Sequence, residues 1–285
     1  MNFNVYFFRE SKRTIDFDKI CAFFNRYNEV TYQMKEEEGV FTYYDERLQN
    51  RATFTIKQKL IVPNIFKIKS NYINLNFVMT MGEYVPQYKA NIIFNIIKDL
   101  CDEFGLFIYN ELFENALSFD MNLMHEVYTY FKKVCCEKFP DEYAKYHYVD
   151  GNKLSNILNY QKTYKELEVE YFNEEVVVPA YMFLLDRLDG VRTAIKWKEG
   201  TKTIFPPDLD YIFYEQSNLE THIYVYSEVY QEIEKFVVDL PGFQRGTKII
   251  DSKEIKKIKK VMKKAKFREI KMEFKNIKLE ELVDC

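Results

Sequence analysis

Glycine and proline are scarce, with eight and seven in 285 residues. A chain so poor in both lacks the composition of long flexible linkers. It carries no GxxxxGK[ST], no GxGxxG and no GxSxG, so the strongest nucleotide and hydrolase signatures are missing. There are three histidines, His125, His147 and His222, and no HExxH. The turn after His125-Glu126 offers Thr129 and Tyr130, not a second histidine, so neither a metal site nor another cofactor is expected. No run of about 18 apolar residues occurs, which argues against a transmembrane helix and a membrane partner. The opening MNFNVYFFRESKR lacks the basic-then-apolar order of a signal peptide.

The five cysteines, Cys21, Cys101, Cys135, Cys136 and Cys285, match neither a zinc site nor a disulfide scaffold in spacing. A reducing, cytoplasmic setting is the simplest expectation. Cys135-Cys136 has no histidine nearby in sequence, and adjacent helical residues point apart, which disfavours a thiol nucleophile.

Hydrophobic residues make up 47% of the chain, enough for a core. The length suits one large domain or two modest ones. Aromatics reach 17%. Along with abundant Ile, Asn and Lys, they fit biased codon usage as well as selected chemistry. No internal repeat or low-complexity tract stands out.

The clearest unit is Pro86 to Asn110. Ala90, Ile93, Phe94, Ile97, Leu100 and Cys101 form a helical stripe. Pro86 suits the first turn and Gly105 a left-handed stop. Leu106 to Tyr109 reads as a buried strand. Before it, Asn4–Phe8 predicts a strand. A helix carrying Ile20, Phe23 and Phe24 follows, capped by Asp16 or Asp18. Glu29–Lys35, Val40–Tyr44, Arg51–Ile56 and Asn74–Thr80 read as strands, with a polar turn at Glu36–Gly39. The order β-α-β-β-β-β-α-β predicts an α+β layer, a ferredoxin-like arrangement with extra strands. That is a fold-level analogy without functional content.

Helices are expected over Met121–Lys138 and Lys153–Glu170. From residue 175 the pattern turns strand-like. Asp189-Gly190 signals a hairpin returning through Val191–Lys198, with Thr201–Phe205 and Leu209–Glu215 completing a β-meander. Tyr224–Asp239 reads as helical. The expected divisions are an N-terminal lobe at 1–110, a helical connection at 111–174 and a C-terminal lobe at 175–285.

The acids Asp186, Asp189, Asp208 and Asp210 flank the meander turns. Acids there usually satisfy local backbone groups. The alternative is a catalytic or divalent-metal arrangement with Lys196, acting on nucleic acid or a phosphorylated small molecule.

Residues 251–278 carry eleven Lys and one Arg against four acids, a net of +8 in a chain of net −3, which leaves −11 elsewhere. Ile255, Ile258, Met262 and Ala265 give this segment an apolar stripe, as for a docked helix, and Ile270, Met272 and Phe274 alternate as in a terminal strand. Lys256, Lys257, Lys260, Lys263 and Lys264 form its charged face. A solvated face is the leading reading, ahead of a nonspecific nucleic-acid contact and of a dock for the protein's own acidic surface or an acidic partner.

The stretch Tyr181–Glu215, YMFLLDRLDGVRTAIKWKEGTKTIFPPDLDYIFYE, resembles bacterial proteins of uncharacterised families, some of them immunity proteins for secreted toxins. The likeness rests on the Val178-Pro179 approach, the Trp197 strand and the Pro206–Tyr211 passage, with a contribution from Leu106–Glu111. It carries no catalytic residues. With the missing catalytic motifs and the acidic body, it leads to the expectation of a non-enzymatic protein that binds another protein. The acidic body points to a basic partner, since opposite charge speeds encounter.

Overall fold

A computed structural model describes residues 1–12, 15–35 and 37–285. Glu36, the start of the expected polar turn, lies outside the described residues. No helix among the described residues is long and apolar enough to cross a membrane. The chain divides into two compact units, Met1–Lys145 with Cys285, and Tyr146–Asp284. The stretch read as a helical connection is shared between them.

The first unit runs β1 (Asn2–Glu10), α1 (Phe17–Phe24), β2 (Val30–Lys35), β3 (Glu38–Asp45), β4 (Asn50–Lys57), β5 (Tyr72–Gly82), α2 (Gln87–Phe104), β6 (Phe107–Tyr109), α3 (Met121–Lys138) and α4 (Pro140–Tyr143). Its six strands are ordered β2-β3-β4-β5-β1-β6, and every neighbouring pair is antiparallel. Both helical crossovers, β1-α1-β2 and β5-α2-β6, therefore join strands that are parallel but not adjacent. This is the ferredoxin-like order with two strands added inside the central hairpin.

Local chemistry accounts for these elements. Asp16 Oδ1 accepts the Asp18 N–H at 3.0 Å, capping α1. Gly105, at φ 60°, ends α2. Phe24 stacks on Phe41 at 4.4 Å and Phe7 on Phe77 at 4.6 Å. A bulge sets Phe7 opposite Phe77 but Phe8 opposite Asn74. Asn76, in that bulge, is left-handed at φ 53°.

The second unit begins with β7 (His147–Tyr148), α5 (Gly151–Tyr171), β8 (Val176–Val177), β9 (Met182–Leu185), β10 (Val191–Lys198), β11 (Lys202–Phe205), β12 (Tyr211–Glu215) and β13 (Thr221–Val225). It continues through α6 (Tyr226–Ile233), β14 (Val237–Asp239), β15 (Lys248–Ile250), α7 (Ile255–Lys264), β16 (Lys275–Ile277) and β17 (Leu282–Val283). Two larger sheets form, β13-β12-β10-β9-β16 and β14-β15-β11-β8, while β17 pairs with β7. The whole is an α+β fold.

The expected meander is corrected. β9 and β10 pair as a hairpin, but β11 leaves that sheet to join β15 and β8, and β12 returns parallel to β10. Gly200, at φ 81°, turns the chain out, and Pro206-Pro207, lacking N–H donors, cannot extend a ladder. Trp197 packs edge-on to Phe205 at 5.3 Å and Tyr214 at 4.9 Å, filling the space between the diverging strands. The helix expected over Tyr224–Asp239 is shorter, with its ends taken by β13 and β14. The terminal strand expected over Ile270–Phe274 is not formed there: β16 lies at Lys275–Ile277 with β17 after it, and Phe274 packs on Tyr211 at 5.3 Å.

Candidate functional site

The four acids fall into two environments. Asp186 closes the β9–β10 loop. Its Oδ1 accepts the N–H groups of Leu188 at 2.9 Å and Gly190 at 3.0 Å, and its Oδ2 the Arg192 Nε at 2.9 Å. The Gly190 and Leu188 N–H groups, then Arg192, hold this carboxyl below the usual aspartate range. Gly190 does not take the left-handed conformation; Asp189 does, at φ 57°. Glycine suits a close approach there instead, because a Cβ would meet the Asp186 carboxylate at 3.1 Å, tighter than ordinary van der Waals contact. Asp189 itself is exposed at the loop tip.

Asp208 and Asp210 are brought together where β12 begins. Asp210 Oδ2 accepts the Lys153 ammonium at 2.6 Å and the Thr193 N–H at 2.8 Å. The Thr193 hydroxyl lies between that oxygen, at 3.0 Å, and the Asp208 carbonyl, to which it donates. Asp208 Oδ2 accepts Asn156 Nδ2 at 2.7 Å, and Asn156 Oδ1 accepts Gln244 Nε2 at 2.9 Å. The first turns of α5 thus supply Lys153 and Asn156 to two strand-end acids. Lys196 stands exposed on β10, beside Phe213 in register and away from this network. Among the described residues no group of three or more His, Cys, Asp or Glu is arranged to hold a metal ion.

The histidines stay apart. His222 Nδ1 pairs with Glu269 Oε1 at 2.8 Å, and this hydrogen bond draws the Glu269 carboxyl down. Burial pushes the Cys101 thiol far above its usual range, making it inert. The first unit holds a cleft of about 320 Å³ lined by Asn4, Asn110, Glu111, Tyr130 and Phe131 among others.

The basic segment is a docked helix. Ile258 and Met262 are buried. Glu199, its side chain 4% exposed, receives Lys259 at 3.3 Å and Lys263 at 3.9 Å. Ser217 hydrogen-bonds the same carboxylate and, with Lys259, keeps it below its usual range. Lys257 pairs with Glu254 at 2.9 Å. Lys256, Lys260 and Lys264 remain exposed along one line of α7.

Two exposed apolar patches were not singled out by pattern. In the first unit, Ile61 and Phe66 are 84% and 82% exposed, with Ile65 between them in sequence also exposed. Lys59, Lys67 and Lys69 surround them in the chain, and residues 57–69 include no acid. The loop is braced. Asn76 Oδ1 accepts the Leu60 N–H at 3.2 Å, Asn76 Nδ2 donates to the Gln58 carbonyl at 3.1 Å, and Val62 is buried beneath.

In the second unit, Val169 and Phe172 are 78% and 81% exposed at the C-terminal end of α5. Three positions apart, they share a helix face. Glu166, Glu168, Glu170, Glu174 and Glu175 crowd around them in sequence. Negative charge at a helix C-terminus opposes the helix dipole, where stability alone would favour Lys or Arg. The last turn of α5 has no basic residue. Tyr160 and Tyr164 brace this end, their hydroxyls donating to the carbonyls of Pro179 and Val178 at 3.0 and 3.3 Å. By contrast, Leu188 and Leu219 are isolated at strand-connecting turns and need no explanation. The available sequence signal was a Phe and a Val on the polar side of the α5 stripe, among clustered glutamates.

No protein-family model, no curated protein and no solved structure matches the chain.

Proposed function

We propose that this chain acts by binding another protein, a basic one, as immunity proteins for secreted toxins do, and not by catalysis. The observation carrying this reading is the exposed Val169–Phe172 pair within the acidic end of α5. Exposed aromatic anchors inside a charged rim are what interface centres use. The glutamates would speed encounter with a cationic surface and repel acidic competitors. The resemblance of Tyr181–Glu215 to immunity-type proteins supports the same reading, and a cytoplasmic setting goes with it.

The test is capture from native lysate by the wild type, Phe172→Ala and Glu170→Lys/Glu175→Lys. A basic protein should be retained by the wild type and weakened roughly 10–30-fold by Phe172→Ala, the loss typical of an anchor residue. The charge reversal should slow association and flatten its salt dependence. Absence of any wild-type-specific protein at low salt, or retention indifferent to all three substitutions, would sink the reading.

The alternative is chemistry on nucleic acid or a phosphorylated small molecule at Asp186, Asp189, Asp208 and Asp210. It would require carboxylates already engaged by Arg192, Lys153 and backbone N–H groups to turn to substrate. Nuclease or phosphatase activity lost in a folded Asp210→Asn variant would favour it.

A further inference from the structure

Cys136 lies near the end of α3, and Cys285 follows β17. Their sulfurs are 3.7 Å apart. No disulfide is formed in the structure, and both residues are half-buried, so small reagents can reach them. A disulfide bond is about 2.05 Å long, which leaves the two sulfurs a modest side-chain adjustment from bonding. Cys285 is also held in place, because the Tyr143 hydroxyl donates to its carbonyl oxygen. The neighbouring thiol does not compete. Cys135 is fully buried, its sulfur 4.0 Å from Met1 Sδ. Cys101 is in the core of the first unit.

We propose that Cys136 and Cys285 are an oxidation site that forms a reversible intramolecular disulfide. The oxidant class is a small-molecule disulfide such as oxidised glutathione. One cysteine, as thiolate, attacks a glutathione sulfur and expels the first glutathione, leaving a mixed disulfide. The second cysteine, as thiolate, attacks the protein-side sulfur and expels the second glutathione. Two protein thiols become one disulfide. Their two protons end on two glutathione thiols, and oxidised glutathione takes up the two electrons.

The bond would join positions separated by 149 in sequence. Residues 146–284, the second unit, lie entirely inside that loop. Cross-linking so long a loop restricts the unfolded chain and favours the folded one. The oxidised protein should therefore resist unfolding better than the reduced one. In a reducing compartment the bond would form transiently, as redox-responsive cytosolic disulfides do. This inference is independent of the protein-binding reading.

The experiment equilibrates the full chain in glutathione buffers from fully reduced to fully oxidised, then alkylates the remaining thiols and maps peptides by mass spectrometry. Alkylatable thiols should fall from five to three, with one cross-linked peptide pair containing Cys136 and Cys285. Dithiothreitol should restore all five. The wild-type thermal midpoint should rise on oxidation, while Cys136→Ser and Cys285→Ser should show no rise and carry at most a glutathione adduct. Retention of both thiols by the wild type in oxidised glutathione would overturn the proposal without reference to any variant. So would pairing of Cys136 with another cysteine, or a bond found only between two chains.

Discussion

The ammonium of Lys153 lies 2.6 Å from Oδ2 of Asp210, across a sequence separation of 57. Each side chain is about a quarter exposed, at 23% and 24%. The pair ties the start of α5 to the head of β12, and the same oxygen takes the Thr193 N–H. Asp210→Ala removes the acceptor for all these donors and is expected to cost about 2–3 kcal/mol. Lys153→Met should cost less, because Asp210 keeps its bonds to Thr193 and some solvent. Urea unfolding of both variants and the double variant gives the coupling. Equal losses from the two single substitutions would contradict this ordering.

Gly190→Ala tests why glycine stands there. The added methyl would press on the Asp186 carboxylate at 3.1 Å and push it off its hydrogen bonds to the loop N–H groups by a few tenths of an ångström. A loss of about 1–2 kcal/mol is expected. In an Asp186→Ala background the same substitution should be nearly neutral, since the obstructing group is gone. Additive losses in thermal or urea unfolding would show that backbone conformation is the reason instead.

Asp186 also sets a pH dependence. Its carboxyl is held below the ordinary range by the Gly190 and Leu188 N–H groups and by Arg192. The folded state therefore binds this proton less tightly than the unfolded chain. Its stabilisation is fully present above about pH 4, near the ordinary aspartate pKa, and is lost as pH falls through the lower native value. Wild type should be more stable than Asp186→Asn at pH 7, and the gap should narrow by pH 3. A gap that widens on acidification would refute the assignment.

Glu199→Ala should loosen α7. Glu199 receives both Lys259 and Lys263 while almost fully buried. Its removal is expected to cost about 1–2 kcal/mol, because the two lysines can turn back to water. Faster amide hydrogen exchange should be concentrated in residues 255–264, with α5 and β10 little changed. Unchanged protection of α7 would mean that Ile258 and Met262 alone hold it.

Much of the first unit was legible because its signals are local. Alternation along Arg51–Ile56, the stripe from Ala90 to Cys101 and the Gly105 stop each report a backbone period or a terminus. Even the ferredoxin-like topology followed from element order. At the candidate site, Asp186 was legible as a turn residue and Ile258 and Met262 as the inner face of a docked helix. The partners of Asp208 and Asp210 were not, because Asn156 and Lys153 come from a helix more than 50 positions earlier. Nor was the exposure of Phe172 and Phe66 legible, since an aromatic side chain looks the same in sequence whether a neighbour covers it or not.

By itself, the sequence determined the main helices and strands of the first unit, the helices α3 and α5, and a basic amphipathic helix near the end of an otherwise acidic chain. These follow from side-chain periodicity, capping and composition within a few turns of chain. Only the tertiary structure decided that β11 leaves the sheet of β10, that Gly190 answers to the Asp186 carboxylate, and that Cys136 faces Cys285. Those facts depend on strand pairing and side-chain contacts between residues that the chain brings together only on folding. No local period encodes which of several compatible edges, acids or thiols will meet.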